Sequence, residues 1–122
     1  MPSRRELAVG LVLSLLLLGV GFSAVEASEN RAFAAEEAYL DAQLASAHCL
    51  SDYGIGVAPV VAPESSVVGA EVGGILVDVR VPYYVVEETE DGELVGDTYS
   101  EATYRVSGAG TDRVRGDTVA PC

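Results

Sequence analysis

An α+β architecture is predicted: an N-terminal transmembrane helix, a following amphipathic helix packed on a small, mainly antiparallel β-sheet, and one disulfide. Three features of the 122-residue chain predict it. Residues 7–25, "LAVGLVLSLLLLGVGFSAV", carry no charge. Residues 28–50 are Ala-rich and free of Gly and Pro. Residues 73–88, "GGILVDVRVPYYVVEE", alternate apolar and polar side chains. The implied layout is a cytoplasmic tail over 1–6, a signal-anchor over 7–25, an extracytoplasmic helix over 26–50 and a β-rich domain over 51–122.

Nineteen helical residues reach about 28 Å at roughly 1.5 Å each, close to the ~30 Å hydrocarbon core of a bilayer. A cleaved signal peptide is the competing reading. Val25-Glu26-Ala27 offers a small-residue site, and Ser3-Arg4-Arg5-Glu6-Leu7 resembles a degenerate twin-arginine export signal. The apolar run is longer than the usual signal core, and no clear A-x-A site follows it, so retention as an anchor is the expectation. Arg4 and Arg5 precede the run and Glu26 and Glu29 follow it. That asymmetry keeps the N-terminus in the cytoplasm and places the remainder outside a cell membrane crossed once.

From Ser28 the stretch "SENRAFAAEEAYLDAQLASAHCL" contains no Val or Ile to oppose a helix. Phe33, Leu40, Leu44 and Ala47 fall on one stripe, flanked by Glu36 and Gln43 on one side and Glu37, Asp41 and His48 on the other. Gly54, Gly56 and Pro59 then end helical structure. In the clearest strand Ile75, Val77, Val79, Val81, Tyr83 and Val85 share one face, and Asp78 and Arg80 the other. Pro82 cannot donate to a ladder, which assigns this strand to an edge or a bulge. A turn at Glu90-Asp91-Gly92-Glu93 leads to "TYSEATYRVSG", whose Ala102, Tyr104 and Val106 oppose Glu101, Thr103 and Arg105; an antiparallel hairpin follows. A last short strand is expected around "DRVRGDTV".

Outside the membrane, two cysteines in a small domain indicate a disulfide between Cys49 and Cys122 before they indicate a metal or redox centre. His48 is the sole histidine. With the two cysteines it falls short of the four ligands of a structural zinc site. The same reasoning gives the terminal "RGDTVAPC" a structural meaning: Cys122 as a clasp, and Asp117 as a turn residue after Gly116 in place of an adhesion signal.

After Val25 there are eighteen Asp or Glu against five Arg, and the whole chain lacks Lys. This composition resembles that of proteins from extremely halophilic archaea, whose acidic surfaces stay hydrated in concentrated salt that also screens their self-repulsion. The chain is similar, in composition and layout, to small acidic single-span haloarchaeal envelope proteins. An anchor, a continuing helix and a small sheet tied by a late cysteine also resemble the layout of type IV pilins, although no prepilin processing site is recognisable. No basic stripe is present to neutralise phosphates, which argues against nucleic acid.

No G-x-S-x-G, C-x-x-C, H-E-x-x-H, P-loop or dinucleotide fingerprint occurs, and no cofactor is implied. The densest acidic stretch, Glu87, Glu88, Glu90, Asp91 and Glu93, is a candidate weak cation site without the spacing of a calcium loop. The expected role is a non-catalytic interaction or structural module of the cell envelope. It would be held in the lipid bilayer by its first helix and meet another envelope protein through Tyr84 and Tyr99. The alternatives are an accessory that binds a small ligand or cation, and a pilin-like subunit.

Overall fold

The alternating stretch forms the strand around which the sheet is organised. In the computed structural model, which describes residues 4–56 and 61–122 with side chains from Ala24 onward, α1 spans Arg4–Ala45. It is followed by β1 (Leu50–Ile55), β2 (Glu64–Glu71), β3 (Gly74–Thr89), β4 (Gly92–Ser107) and β5 (Gly110–Gly116). All pairings are antiparallel: β3 pairs along its whole length with β4, and β5 pairs with residues 102–107 of β4. The other edge of β3 is shared. Its first half takes β2, from Glu71↔Gly74 to Glu64↔Arg80, and its second half takes β1, from Ile55↔Tyr83 to Leu50↔Glu87.

The α+β class, the antiparallel sheet and the single disulfide are as expected. The cytoplasmic tail over 1–6 and the anchor over 7–25 fall largely outside the residues whose side chains are described. Among the described residues, no helix is long and apolar enough to cross a membrane.

One face of the sheet carries the core. Val77, Val79, Val81, Ala102, Tyr104 and Val106 are buried on it, with Ile75, Tyr83 and Val85 packed alongside. The same residues define the alternation in the sequence. The buried stripe of α1 is Ser28, Ala32, Glu36, Leu40 and Leu44, each four residues from the next. It is rotated from the expected stripe: Phe33 and Ala47 are only half-buried, and Glu36 lies at its centre instead of its flank. Ala38, Ala42 and Ala45 face away from the sheet.

Ala32, with Phe33 and Ala35, packs near Ile75, Val77 and Val106, whereas Leu40 and Leu44 pack near Val81, Tyr83, Val85 and Val119. Helix and central strand therefore run in the same direction.

Four local departures from the expected elements have physical causes. The helix stops at Ala45, short of residue 50. The Ser46 hydroxyl donates to the Gln43 carbonyl at 3.1 Å, and the Leu50 N–H reaches back to the Ala47 carbonyl, turning the chain toward β1. The second is β1 itself, hidden by its glycine: a Cβ at Gly54 would collide with the Tyr84 ring, so the glycine is where that ring lies over the sheet.

Third, β4 begins at Gly92, six residues before the expected strand, behind the two-residue turn Glu90-Asp91; Gly92 has φ +120°. The fourth departure concerns Pro82, which lies in the most central strand. Its carbonyl accepts from the Gly56 N–H at 2.8 Å, so its nitrogen faces the same side, in the gap between the end of β2 and the end of β1. No ladder donor is needed there, and the strand has a local edge at that point.

Candidate functional site

Among the described residues the one buried carboxylate is Glu36, with no exposed surface. It projects from the middle of the helix stripe onto β4 and β5. Its Oε1 accepts from the Ser100 hydroxyl at 2.7 Å and Arg113 Nη2 at 3.0 Å; its Oε2 accepts from the Tyr104 hydroxyl at 2.6 Å and Arg113 Nε at 2.9 Å. The two oxygens hold four donors, the capacity of a carboxylate. Arg113 reaches this face because the register set at the β4–β5 turn, Ser107↔Gly110, runs unshifted to Tyr104↔Arg113; the one-residue shift follows, between Tyr104 and Thr103. Its guanidinium also stacks 3.9 Å from the centre of the Tyr39 ring and donates to the Asp117 carbonyl at 2.7 Å.

The electrostatics follow from these contacts. Burial acts to raise the Glu36 pKa, but the hydrogen bonds from Arg113, Tyr104 and Ser100, with the Arg113 charge, outweigh it and hold the carboxyl below its ordinary value. Burial and the Glu36 carboxylate push the Tyr104 phenol far up. The bond to Glu36 raises Arg113 further. At neutral pH the centre is an ion pair with a neutral tyrosine. No lone pair of Glu36 remains to take a substrate proton, and no buried side-chain polar atom among the described residues lacks a partner.

The chain end is tied to this centre. Cys49 and Cys122 are joined, with Cα atoms 5.8 Å apart, as the sequence indicates. Val119 is buried beside Leu40 and Leu44, and its N–H donates to the Tyr39 hydroxyl at 3.3 Å. Asp117 closes the sheet edge: its N–H donates to the Glu101 carbonyl and its Oδ2 accepts from the Glu101 N–H, both at 2.9 Å. The carboxylate of the Arg-Gly-Asp tripeptide is thus engaged with the main chain one residue past β5, where it stands in for the next ladder pair.

The face of the sheet away from α1 is open. Arg80 lies between two carboxylates, bonding Glu101 at 2.9 Å and approaching Glu64 at 3.5 Å, and Arg105 bonds Glu71 at 2.9 Å. Thr103 donates to Asp78. Glu64, Arg80, Glu101, Asp78 and Thr103, with Ser66 and Arg115, floor an open depression of about 340 Å³. Of the two tyrosines expected to be contact residues, Tyr99 is 40% exposed beneath the Arg80 guanidinium. Tyr84 is half-buried over Gly54.

The acidic stretch lies at the β3–β4 turn. Glu87 faces Leu94 and Glu88 faces Glu93 across the hairpin, and Glu90 and Asp91 form its tip. All but Glu87 are exposed. Alternation sends Glu87 and Glu88 to opposite faces. Among the described residues no three His, Cys, Asp or Glu side chains gather closely enough to hold a metal ion.

The Glu36 centre escapes a reading of the sequence because a Glu within an Ala-rich helix is usually solvated. The available signal was its spacing, three residues after Phe33 and four before Leu40, together with the scarcity of cations that makes each Arg valuable. No family model, curated protein or solved structure matches this chain.

Proposed function

We propose that the protein is a membrane-anchored, extracytoplasmic and non-catalytic module of the cell envelope. The uncharged run at 7–25 is its anchor, the short N-terminus is cytoplasmic and the sheet lies outside. The observation that carries this reading is the continuity of α1: the helix that contains the uncharged run goes on, without interruption, to form the core against the sheet at residues 28–44. The exterior placement is supported by the Cys49–Cys122 bond, which belongs to an oxidising compartment.

Non-catalysis is supported by the disposition of the ionisable groups. The converging carboxylate and phenol are buried and, with the Arg113 guanidinium, occupied by mutual hydrogen bonds, and on the open face Arg80 and Arg105 are each paired. That mixed-charge face, with Tyr99 at its margin, is the surface available to an envelope partner. The acid-rich, Lys-free composition supports a setting of high salt and, with it, an archaeal halophile.

Fractionation of cells expressing the full chain tests the placement. Retention in carbonate-washed membranes is expected, together with removal of the sheet by protease added to intact cells. Recovery in the soluble fraction with residues 7–25 intact, or protection from external protease, would overturn it.

A pilin-like subunit is the second reading, favoured by the same unbroken helix backing an antiparallel sheet with a late cysteine. Filaments in electron micrographs of producing cells would support it, and discrete small oligomers after crosslinking would count against it.

A further inference from the structure

The shared direction of α1 and β3 gives the domain two unlike ends. The end where α1 enters carries two turns, Val72-Gly73 between β2 and β3 and Gly108-Ala109 between β4 and β5. Neither turn residue pair is charged, and Val72 is fully exposed. Arg31 donates to the Ser107 carbonyl at 3.0 Å, so the second turn lies level with that helical residue, and Arg105, paired with Glu71, stands just behind the first.

This end also carries Glu26 and Glu29 on the helix and Glu71 and Asp112 beside the turns, set against Arg31 and Arg105. The opposite end is far more acidic. Beyond the level of Glu36 and Ser100 lie nine carboxylates, from Glu37 and Asp41 on the helix through Asp52 and the 87–93 hairpin to Asp97, and not one Arg or Lys. All five Arg residues after Val25 belong to the end where α1 enters or to the middle of the domain.

The spacing matches this polarity to a membrane surface. From Val25, the last residue of the uncharged run, to Arg31 is six residues, about 9 Å along a helix. The head-group layer of one leaflet is roughly 5–8 Å deep, the difference between the full bilayer and its hydrocarbon core. Helical side chains lean toward the N-terminus, and the two turns project past Ser107 in the same direction. Their tips therefore reach the head-group layer if residues 7–25 span the hydrocarbon.

We propose that the Val72-Gly73 and Gly108-Ala109 turns, with Arg31, form a foot that rests on the outer leaflet. The Val72 side chain enters the lipid interface, Arg31 faces lipid phosphates and the acidic end points away from the membrane. The occupant of this surface is the lipid of the outer leaflet, selected by distance and by the uncharged tips of the two turns, where Val72 is fully exposed. The inference rests on the anchor reading above.

The chain contains no Trp, so Val72→Trp in this exposed turn and Asp91→Trp at the far turn are single reporters in the full chain. Each is inserted into vesicles of phosphatidylcholine containing one-third phosphatidylglycerol, with or without brominated acyl chains. Val72→Trp should emit to the blue of Asp91→Trp, be quenched by the brominated lipid and resist acrylamide severalfold better. Equal acrylamide quenching of the two reporters in vesicles that retain the protein would overturn the foot and leave the anchor standing. Protection of Val72→Trp without bromolipid quenching would mean a protein neighbour and would also overturn it. Failure of both variants and the parent chain to enter vesicles would remove the anchor and the foot together.

Discussion

Replacing Glu36 by Ala should be the most damaging single change in the domain. The substitution leaves the Arg113 guanidinium, whose side chain is 22% exposed, without its counter-ion, and it strands the Ser100 and Tyr104 hydroxyls beneath the helix. Breaking one partner of a buried pair costs about 3–5 kcal/mol. In a domain of this size each kcal/mol moves the midpoint by roughly 4–8 °C, so a fall on the order of 15–30 °C is expected. Near-UV circular dichroism of the full chain in detergent and molar salt, followed through a thermal melt, reads the tertiary packing without interference from the backbone signal of the long helix. The pair is costly to break but not intrinsically strong, so Glu36→Leu combined with Arg113→Met and Tyr104→Phe should recover most of the loss.

The same centre fixes the acid limit. Because the folded state holds the Glu36 pKa below its ordinary value near 4.3, its contribution is present above that value and disappears as pH falls through the folded pKa. Wild-type stability should therefore drop below about pH 4 more steeply than that of Glu36→Gln, whose side chain does not titrate. A Glu36→Ala cost under about 1 kcal/mol, or no rescue in the triple variant, would refute the assignment of this centre as the main polar tie between helix and sheet.

Reduction, or Cys122→Ser, should lower stability by about 4 kcal/mol, the entropy of a closed loop with a separation of 73 residues, and alkylation should find two thiols only after reductant. Asp117→Ala should cost about 1–2 kcal/mol through the lost pairing with Glu101, while Arg115→Ala, on the exposed end of β5, should stay within roughly 0.5 kcal/mol; equal losses in chemical denaturation would contradict the edge-closing role of Asp117. Raising potassium chloride from tenth-molar to molar should raise the thermal midpoint, as screening relieves the acidic end, and an unchanged midpoint would remove the case for a halophilic setting.

How legible these features were depended on whether neighbours in sequence or neighbours in space determine them. The face formed by Ile75, Val77, Val79, Val81, Tyr83 and Val85 was readable because burial on one side of a strand imposes a period of two on consecutive residues. The cysteine pairing was readable because there were only two to join. Glu36 was misplaced because nothing local distinguishes a buried glutamate from a solvated one: its partners lie 64, 68 and 77 residues away. The strand β1 was hidden because Gly54 satisfies the packing of Tyr84, a residue thirty positions later, at the cost of local strand propensity. The start of β4 was masked by Glu93, Gly96 and Asp97, which are poor strand formers that the full-length pairing with β3 overrides.

Leu50 to Pro121, and with them all five strands, are enclosed in the covalent loop between Cys49 and Cys122, and the loop begins four residues after α1 ends. Under the proposed anchoring, which would hold the domain at one end, this has a mechanical meaning. A pull between the helix and any partner gripping the sheet enters through Cys49 and the helix face, parallel to β3 and β4, and loads their long shared ladder in shear. Sliding the helix free would require the Glu36–Arg113 pair to break together with the apolar contacts on either side of it. The segment from Cys49 to Cys122 could lengthen only as a closed ring, with both of its ends fixed at the same point.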